Sequence, residues 1–414
     1  MTSNPSGEGL MDDVEIIGPV SEPDECGHRV GATIRVGAWQ KDLWYQASRD
    51  DLADLLDPFV AVCLVPAMKR GGRVVLRGPA SAEFLAQVQR IQRIFELYRE
   101  DAYHEGRHRL RRVEVVPREQ RPPVVGTGAA MFFSGGVDSL YSAVTHPEIR
   151  HGIFIDDFDG FFPAPVRDVV HDNAAQAAAE LGIELVRLQT NAKTVTMAGL
   201  GPAGPPSSWR LVGGSVQEGA ALLLAPAFDR VLFPSSEAVG YHTRFGDGPI
   251  LDPLYSAGGQ RIEHDDILVN RFEKTRRLAH EAVARSHLRV CWQPALNCGR
   301  CPKCVRTMLA LEALGVRDRF TTFPWCTSAE LAERVVDIGR HSPETTWRYY
   351  DEVGDFLDDA GERPDLRRAI ADARVVERTI GRDEALAALA PMPVRRAVRT
   401  VRGMVAARSL RRPG

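Results

Sequence analysis

The 414-residue sequence predicts an α/β fold: a doubly wound parallel sheet with a metal-binding cysteine loop, a small N-terminal α+β domain and a helical C-terminus. Three observations predict it. Short apolar segments alternate with helical patterns from residue 129 to 233. A glycine-rich turn sits at the first strand–helix junction. From residue 305 onward the periodicity is helical without strand signals. Strands alternating with helices imply right-handed βαβ units, because parallel neighbours need a crossover.

The elements follow in order. Residues 1–25 carry seven acids and no Lys or Arg, and read as a disordered acidic tail. Residues 26–117 form the small α+β domain. Ala32–Val36 and Leu43–Ala47 alternate as a hairpin. Phe59–Pro66 and Arg73–Arg77 read as further strands joined through Gly71-Gly72. Phe84, Leu85, Val88, Ile91, Ile94, Phe95 and Tyr98 recur at helical spacing. No chemical motif marks this domain, which reads as an interaction or scaffolding module. Arg107–Pro123 is basic and then Pro-rich, as a linker is.

The main domain spans 124–290. Its strands are Ala129–Phe133, Gly152–Ile155, Ile183–Leu188 and Arg230–Phe233, with helices from Asp138, over Asp168–Leu181 and over Val216–Phe228. Gly182 stands where a C-cap glycine belongs. A Gly/Pro-rich stretch, 199–208, is expected to shape specificity. A cysteine module occupies 291–315, and 316–414 is helical with a basic tail. Helices are expected over Ser328–Gly339, Thr346–Leu357 and Asp365–Thr379.

Bulk composition excludes some classes. A net charge of −3 argues against global attraction to nucleic acid or membrane. No apolar run of about 18 residues exists, so no membrane span is expected. The start has neither the basic and apolar regions of a signal peptide nor the arginines of a transit peptide, so a cytoplasmic location is expected.

Chemistry concentrates at Phe132-Phe-Ser-Gly-Gly-Val-Asp-Ser-Leu140. Gly135 and Gly136 let the backbone turn sharply and approach an anion. The amides and positive terminus of the following helix can then hold a pyrophosphate. Ser134 and Ser139 add hydroxyl donors, and Asp138 can coordinate Mg²⁺ or cap the helix. The spacing is not that of a Walker A loop, since no Lys follows the glycines, nor of G-x-G-x-x-G.

Four cysteines, Cys291, Cys298, Cys301 and Cys304, have the spacing C-x6-C-x2-C-x2-C. In a large chain such a cluster reads as a metal site rather than a disulfide framework. Four thiolates from a tight loop can close a tetrahedral shell around Zn²⁺ and leave no position for water. An iron–sulfur cluster takes the same number of ligands.

Ser134–Ser139 resembles the SGGxDS signature of the PP-loop ATP pyrophosphatases, the adenine nucleotide alpha hydrolase-like superfamily. With Cys-Gly-Arg-Cys-Pro-Lys-Cys-Val-Arg-Thr307, it resembles the queuosine-precursor (7-cyano-7-deazaguanine) synthase branch over residues 128–315. The resemblance implies a Rossmann-like sheet of the HUP type. It also implies ATP and Mg²⁺ as cofactors, with Ser134, Gly135, Gly136, Val137, Asp138 and Ser139 at the phosphates. The end of the second strand, Phe154 and Ile155, would then lie near the adenine. A Gly-Gln motif of that branch is replaced here by Asp156-Asp-Phe-Asp159, which points to a different substrate.

The function implied is ATP-dependent adenylation, giving AMP and pyrophosphate. A carboxylate or carbonyl oxygen of a small molecule is activated for attack by ammonia or another nucleophile. Asp138 would hold the pyrophosphate through Mg²⁺, and Lys274 or Arg271 would support developing charge. No glutaminase unit is visible and no Cys follows Met1, so a partner would donate or carry the nucleophile, or it would come from solution.

A tRNA- or nucleobase-modifying enzyme is a second reading. Its candidates are Cys326 for thiolation and the seven arginines of Val394–Arg412 for RNA. A nucleotide-sensing subunit of a complex is a third. Ser235-Ser-Glu237, at a strand's carboxyl end, is placed where ligands bind in open sheets. His242 and His264 read as satisfied structural histidines.

Overall fold

Val14 and Ile16 alternate with Glu15, and this short pattern starts a strand, β1 (Val14–Asp24). Composition had placed the segment in the acidic tail. The correction lies in pairing: Val14 and Ile16 are fully buried, while Glu15 lies between Arg35 and Arg77. β1 is antiparallel to β2 (Gly27–Val36), which forms the expected hairpin with β3 (Trp39–Ala47).

The computed structural model describes residues 12–25, 27–97, 110–158, 160–202, 204–239, 246–293, 296–339 and 347–388. Residues 1–11, Cys26, Tyr98, Asp159, His242 and the arginine-rich segment 394–412 lie outside them.

Phe59–Pro66 is a second correction, since it belongs to helix α1 (Asp57–Arg70). Every residue from Asp57 to Met68 is buried. A helix apolar on all sides has no 3.6-residue stripe, so periodicity cannot separate it from a buried strand. β4 (Arg73–Ala80) and α2 (Ala82–Leu97) follow as expected. The linker segment instead contains β5 (Glu114–Gln120), parallel to β4 at the sheet's edge. Its Pro117 is compatible with an edge strand, where a missing N–H breaks no interior ladder.

The second half runs β6 (Gly128–Phe132), α3 (Val137–Thr145), β7 (His151–Ile155), α4 (Ala164–Glu180) and β8 (Glu184–Thr190). It continues through α5 (Ala192–Ala198), α6 (Trp209–Leu223), β9 (Phe228–Pro234) and β10 (Arg261–Asp265). β10 was not anticipated, because Ile262 is the single apolar side chain in its five residues.

All ten strands form one sheet in the order β10-β9-β6-β7-β8-β3-β2-β1-β4-β5. The block from β10 to β8 is parallel throughout. Its order reverses between β6 and β9, the topological switch point at which ligands bind in open α/β sheets. The N-terminal strands join this block through antiparallel β3–β8 pairing, Tyr45 opposite Thr190 and Ala47 opposite Leu188.

One core runs from Val14 to Ile262. α1 packs so closely on α6 that a Cβ on Gly219 would stand 2.6 Å from the Tyr45 hydroxyl and 2.9 Å from the Pro58 carbonyl. The N-terminal segment, expected as its own small domain, is thus part of a shared sheet and core.

The chain divides into two units, Met1–Val269 and Asn270–Gly414. The second holds α7 (Arg271–Leu278), α8 (Ala282–His287), the cysteine loop, α9 (Pro302–Ala313), α10 (Ser328–Gly339), α11 (Arg348–Ala360) and α12 (Pro364–Ala388). Within it, buried Glu312 ties three segments together, accepting hydrogen bonds from Ser328 at 2.7 Å, Arg317 at 2.8 Å and Arg363 at 2.9 Å. Among the described residues no helix is long and apolar enough to cross a membrane.

Candidate phosphate-loop site and cysteine centre

β6 ends at Phe132, and the chain must turn within four residues to enter α3. Gly135 makes the turn with φ of 72°, a left-handed value that suits glycine. Gly136 is the N-cap of α3 and supplies no side-chain cap, so the first helical amides are left to the loop itself. Ser139, nearly buried, closes the loop: its hydroxyl accepts from the Ser134 N–H at 3.2 Å and lies 3.4 Å from the Ser134 hydroxyl. The Gly136 N–H reaches the Ser134 hydroxyl at 3.4 Å. Ser134 itself is exposed.

The loop lies at the switch point, and β9 brings its own turn there. Ser236 directs its hydroxyl to Asp138 Oδ2 at 3.4 Å. α3 is also anchored to the end of β10, where Asp265 receives the Ser142 hydroxyl at 2.5 Å and contacts His146 Nε2 at 2.8 Å. Thus Ser134, Gly135, Gly136, Val137, Asp138 and Ser139 occur as one continuous turn, joined by the Ser235-Ser-Glu237 segment.

Phe154 and Ile155 lie within the core of β7, at 5% and 8% exposure, and Phe154 packs edge-on against His171. What emerges at that strand end is the loop beginning at Asp156. Arg187 holds Asp156 through both carboxylate oxygens, the closest contact being 2.9 Å. Lys193 donates to the carbonyls of Asp157, Phe158 and Gly160 at 3.2, 3.0 and 2.9 Å. Burial pushes the Asp157 carboxyl above its usual range. The 199–208 stretch is tied to α1, with Arg70 on the Leu200 carbonyl at 3.1 Å and Lys69 on the Pro206 carbonyl at 2.7 Å.

Sequence reasoning missed one constellation. Asp252, His264 and Ser235 come from separate stretches, and the structure aligns them. Asp252 Oδ2 lies 2.5 Å from His264 Nδ1, and His264 Nε2 lies 3.1 Å from the Ser235 hydroxyl. His264 is satisfied, as expected, but by partners that lead to the Ser134–Ser139 loop. No spacing rule signals this, because the contacts depend on β9 and β10 being neighbours.

In the second unit, Lys274 and Arg271 lie on α7. Asn270 caps that helix, its Oδ1 accepting from the Glu273 N–H at 2.8 Å. Lys274 is 1% exposed. Arg271, Arg348 and Arg306 place their guanidiniums 5.2, 4.8 and 4.0 Å from the Tyr349 ring centre. Burial raises the pKa of nearby Glu352, and the Phe272 N–H and the same three arginines oppose that shift.

The cysteine centre forms in the same unit. The four sulfurs lie within 4.8 Å of one another, with Cys291–Cys301 at 3.8 Å and Cys298–Cys304 at 4.0 Å. Zn–S bonds of about 2.3 Å place tetrahedral sulfurs about 3.8 Å apart, so the cluster could hold a metal ion such as zinc. Backbone N–H groups of Gln293 and Cys301 point to Cys291 Sγ and Cys298 Sγ, each at 3.2 Å. Hydrogen bonding with Cys291, and then with the other thiols, holds the Cys298 thiol below its usual range and pushes Cys301 and Cys304 above theirs. Asn297 fixes the loop, accepting from the Val290 N–H at 2.9 Å and donating to the Leu288 carbonyl at 3.0 Å.

Comparison with protein-family models, curated proteins and solved structures finds no match to this chain.

Proposed function

We propose that the chain is an ATP pyrophosphatase-type ligase of the PP-loop superfamily, with a Rossmann-like, HUP-type first unit and a distant likeness to the queuosine-precursor synthase branch. The observation that carries this reading is the Ser134–Ser139 turn. It runs from the loop after β6 into the first turn of α3 at the sheet's switch point, with Gly135 at positive φ and Asp138 in that helical turn. A glycine turn at a helix N-terminus suits an anion such as pyrophosphate, because helix amides and the positive end of the helix dipole face it.

In the proposed reaction an acceptor carboxylate or carbonyl oxygen attacks the α-phosphorus of ATP. The bond to the bridging oxygen breaks, and pyrophosphate leaves with its electron pair. Ammonia or another nucleophile then displaces AMP. The turn's amides, Ser134 and Ser139 hold the departing pyrophosphate. Asp138, a hard oxygen donor, suits Mg²⁺, which would supply charge neutralisation to the phosphates. The cysteine centre is assigned zinc in a folding role, because four sulfurs spaced for one ion leave no coordination site open.

The test is AMP and pyrophosphate release from ATP and Mg²⁺ across fractions of a metabolite extract, with Asp138→Ala as control. Release with particular fractions, lost in the variant, supports the reading and isolates the acceptor. ADP and phosphate as products, or an equally active variant, would overturn it. ATP binding without turnover in any fraction would favour a nucleotide-sensing subunit.

A further inference from the structure

The Ser235 hydroxyl holds the turn that follows it: it donates to the Glu237 carbonyl at 2.7 Å and accepts from the Glu237 N–H at 3.3 Å. His264 Nε2 lies 3.1 Å from the same hydroxyl, and His264 Nδ1 lies 2.5 Å from Asp252 Oδ2. Asp252 Oδ1 accepts the Gly248 N–H at 2.6 Å.

The pair is deeply enclosed: Asp252 and Ser235 are fully buried, and the His264 side chain is 9% exposed. Glu218 of α6 and Asp247 stand beside Asp252, and the Tyr45 phenol stands beside Glu218. Neither carboxyl oxygen of Glu218 has a hydrogen-bond partner among the described residues. Burial, and then the charges of Asp252 and Asp247, keep that carboxyl protonated well above its usual range, so it adds no second charge. Asp265, next along β10, is engaged by Ser142 and His146 of α3.

We propose that His264, held by Asp252, is a positioning residue for the phosphate-loop site: its Nε2–H orients Ser235 and thereby the turn that sets Ser236 against Asp138. The inference rests on the ATP reading for its catalytic consequence. It is not a nucleophilic triad, because Ser235 is fully buried and its hydroxyl is bonded within its own turn.

The experiment compares wild type, His264→Leu, His264→Gln and Ser235→Ala in the full chain. Gln retains an N–H donor near the Nε2 position, and Leu does not. Nuclear magnetic resonance of ¹⁵N-histidine-labelled wild type should show His264 protonated at Nε2. The Ser236 and Asp138 amide signals should shift in His264→Leu and Ser235→Ala and return towards wild type in His264→Gln. In pyrophosphate release, KM for ATP should rise about tenfold in His264→Leu, the worth of one charge-assisted hydrogen bond, with a smaller change in kcat. A bare Nε2, or unmoved Ser236 and Asp138 signals in both the Leu and Ala variants, would overturn the inference. If wild type forms no AMP and pyrophosphate, the adenylation reading fails while the amide signals still decide the role of His264.

Discussion

Ser236 places its hydroxyl 3.4 Å from the Asp138 carboxylate, joining the turn after β9 to the loop after β6 where the strand order reverses. The two residues should therefore act on the same step with unequal weight. Asp138→Ala is expected to lower the rate of pyrophosphate release by about 10²-fold or more, the scale for a group aimed at developing charge. Ser236→Ala should cost about tenfold or less, since it acts through Asp138 at a long distance. Single-turnover measurements that ranked Ser236 above Asp138 would contradict this arrangement.

Gly135 turns the loop with φ of 72°. Gly135→Ala should destabilise the fold by about 1–2 kcal/mol, the cost of a left-handed conformation for a residue with a Cβ. On the proposed function it should also reduce ATP turnover, because relief of that strain moves the amides at the start of α3. Thermal unfolding and turnover, measured together, check both parts. An Ala variant equal to wild type in both would show that the turn tolerates a side chain.

The four sulfurs of Cys291, Cys298, Cys301 and Cys304 are spaced for one ion. One metal ion per chain is expected by elemental analysis, with zinc the leading species. Cys301→Ser, or a strong chelator, should release it and abolish cooperative unfolding of the second unit, because binding a structural zinc is itself folding free energy. A metal-free protein with unchanged unfolding would rule this out.

Asp57 is buried at the start of α1 and accepts the Ser81 N–H at 2.8 Å. Burial pushes its carboxyl from 3.8 up to about 7, against the lowering effect of that bond. Between those values the folded chain keeps a proton that the unfolded chain has released. This group's contribution to stability therefore falls as pH rises through the window and levels off above it. Asp57→Asn keeps the acceptor and removes the titration. The variant should gain on wild type by up to about 4 kcal/mol between pH 4 and 8. Equal pH profiles from denaturant titrations would count against a raised Asp57.

Lys193 bonds three carbonyls of the loop after β7, where Asp157 adopts φ of 57°. Lys193→Met should leave those carbonyls without their donor and free the loop. Hydrogen exchange at Phe162, whose N–H reaches the Asp157 carboxylate at 3.2 Å, is expected to quicken by about tenfold. No change there would show that the backbone holds its shape without the clamp.

Much of this architecture is legible in the residues. The Ser134–Ser139 turn falls between a strand and a helix as expected, and Ser328–Gly339 forms the expected helix α10 over the same residues. Gly182 follows α4 with φ of 65°, as a helix-ending glycine does. The misreadings share a cause. β1 was concealed because Glu15 is polar by composition yet is neutralised by two arginines that the fold brings to it. α1 was concealed because complete burial erases the face that distinguishes a helix.

By itself the sequence determined what local chemistry dictates: the alternation of strands and helices, the glycines that permit the tight turn into α3, and the spacing that lets four thiols converge. Tertiary structure alone decided which distant residues meet. It merged the N-terminal strands into the same sheet through β3 and β8, and it aligned Asp252, His264 and Ser235 at the turn that meets the Ser134–Ser139 loop. The physical reason is that turn and helix signals are carried by neighbours in the chain. Strand pairing and buried proton networks depend instead on contacts whose free energy exists only once the core has closed.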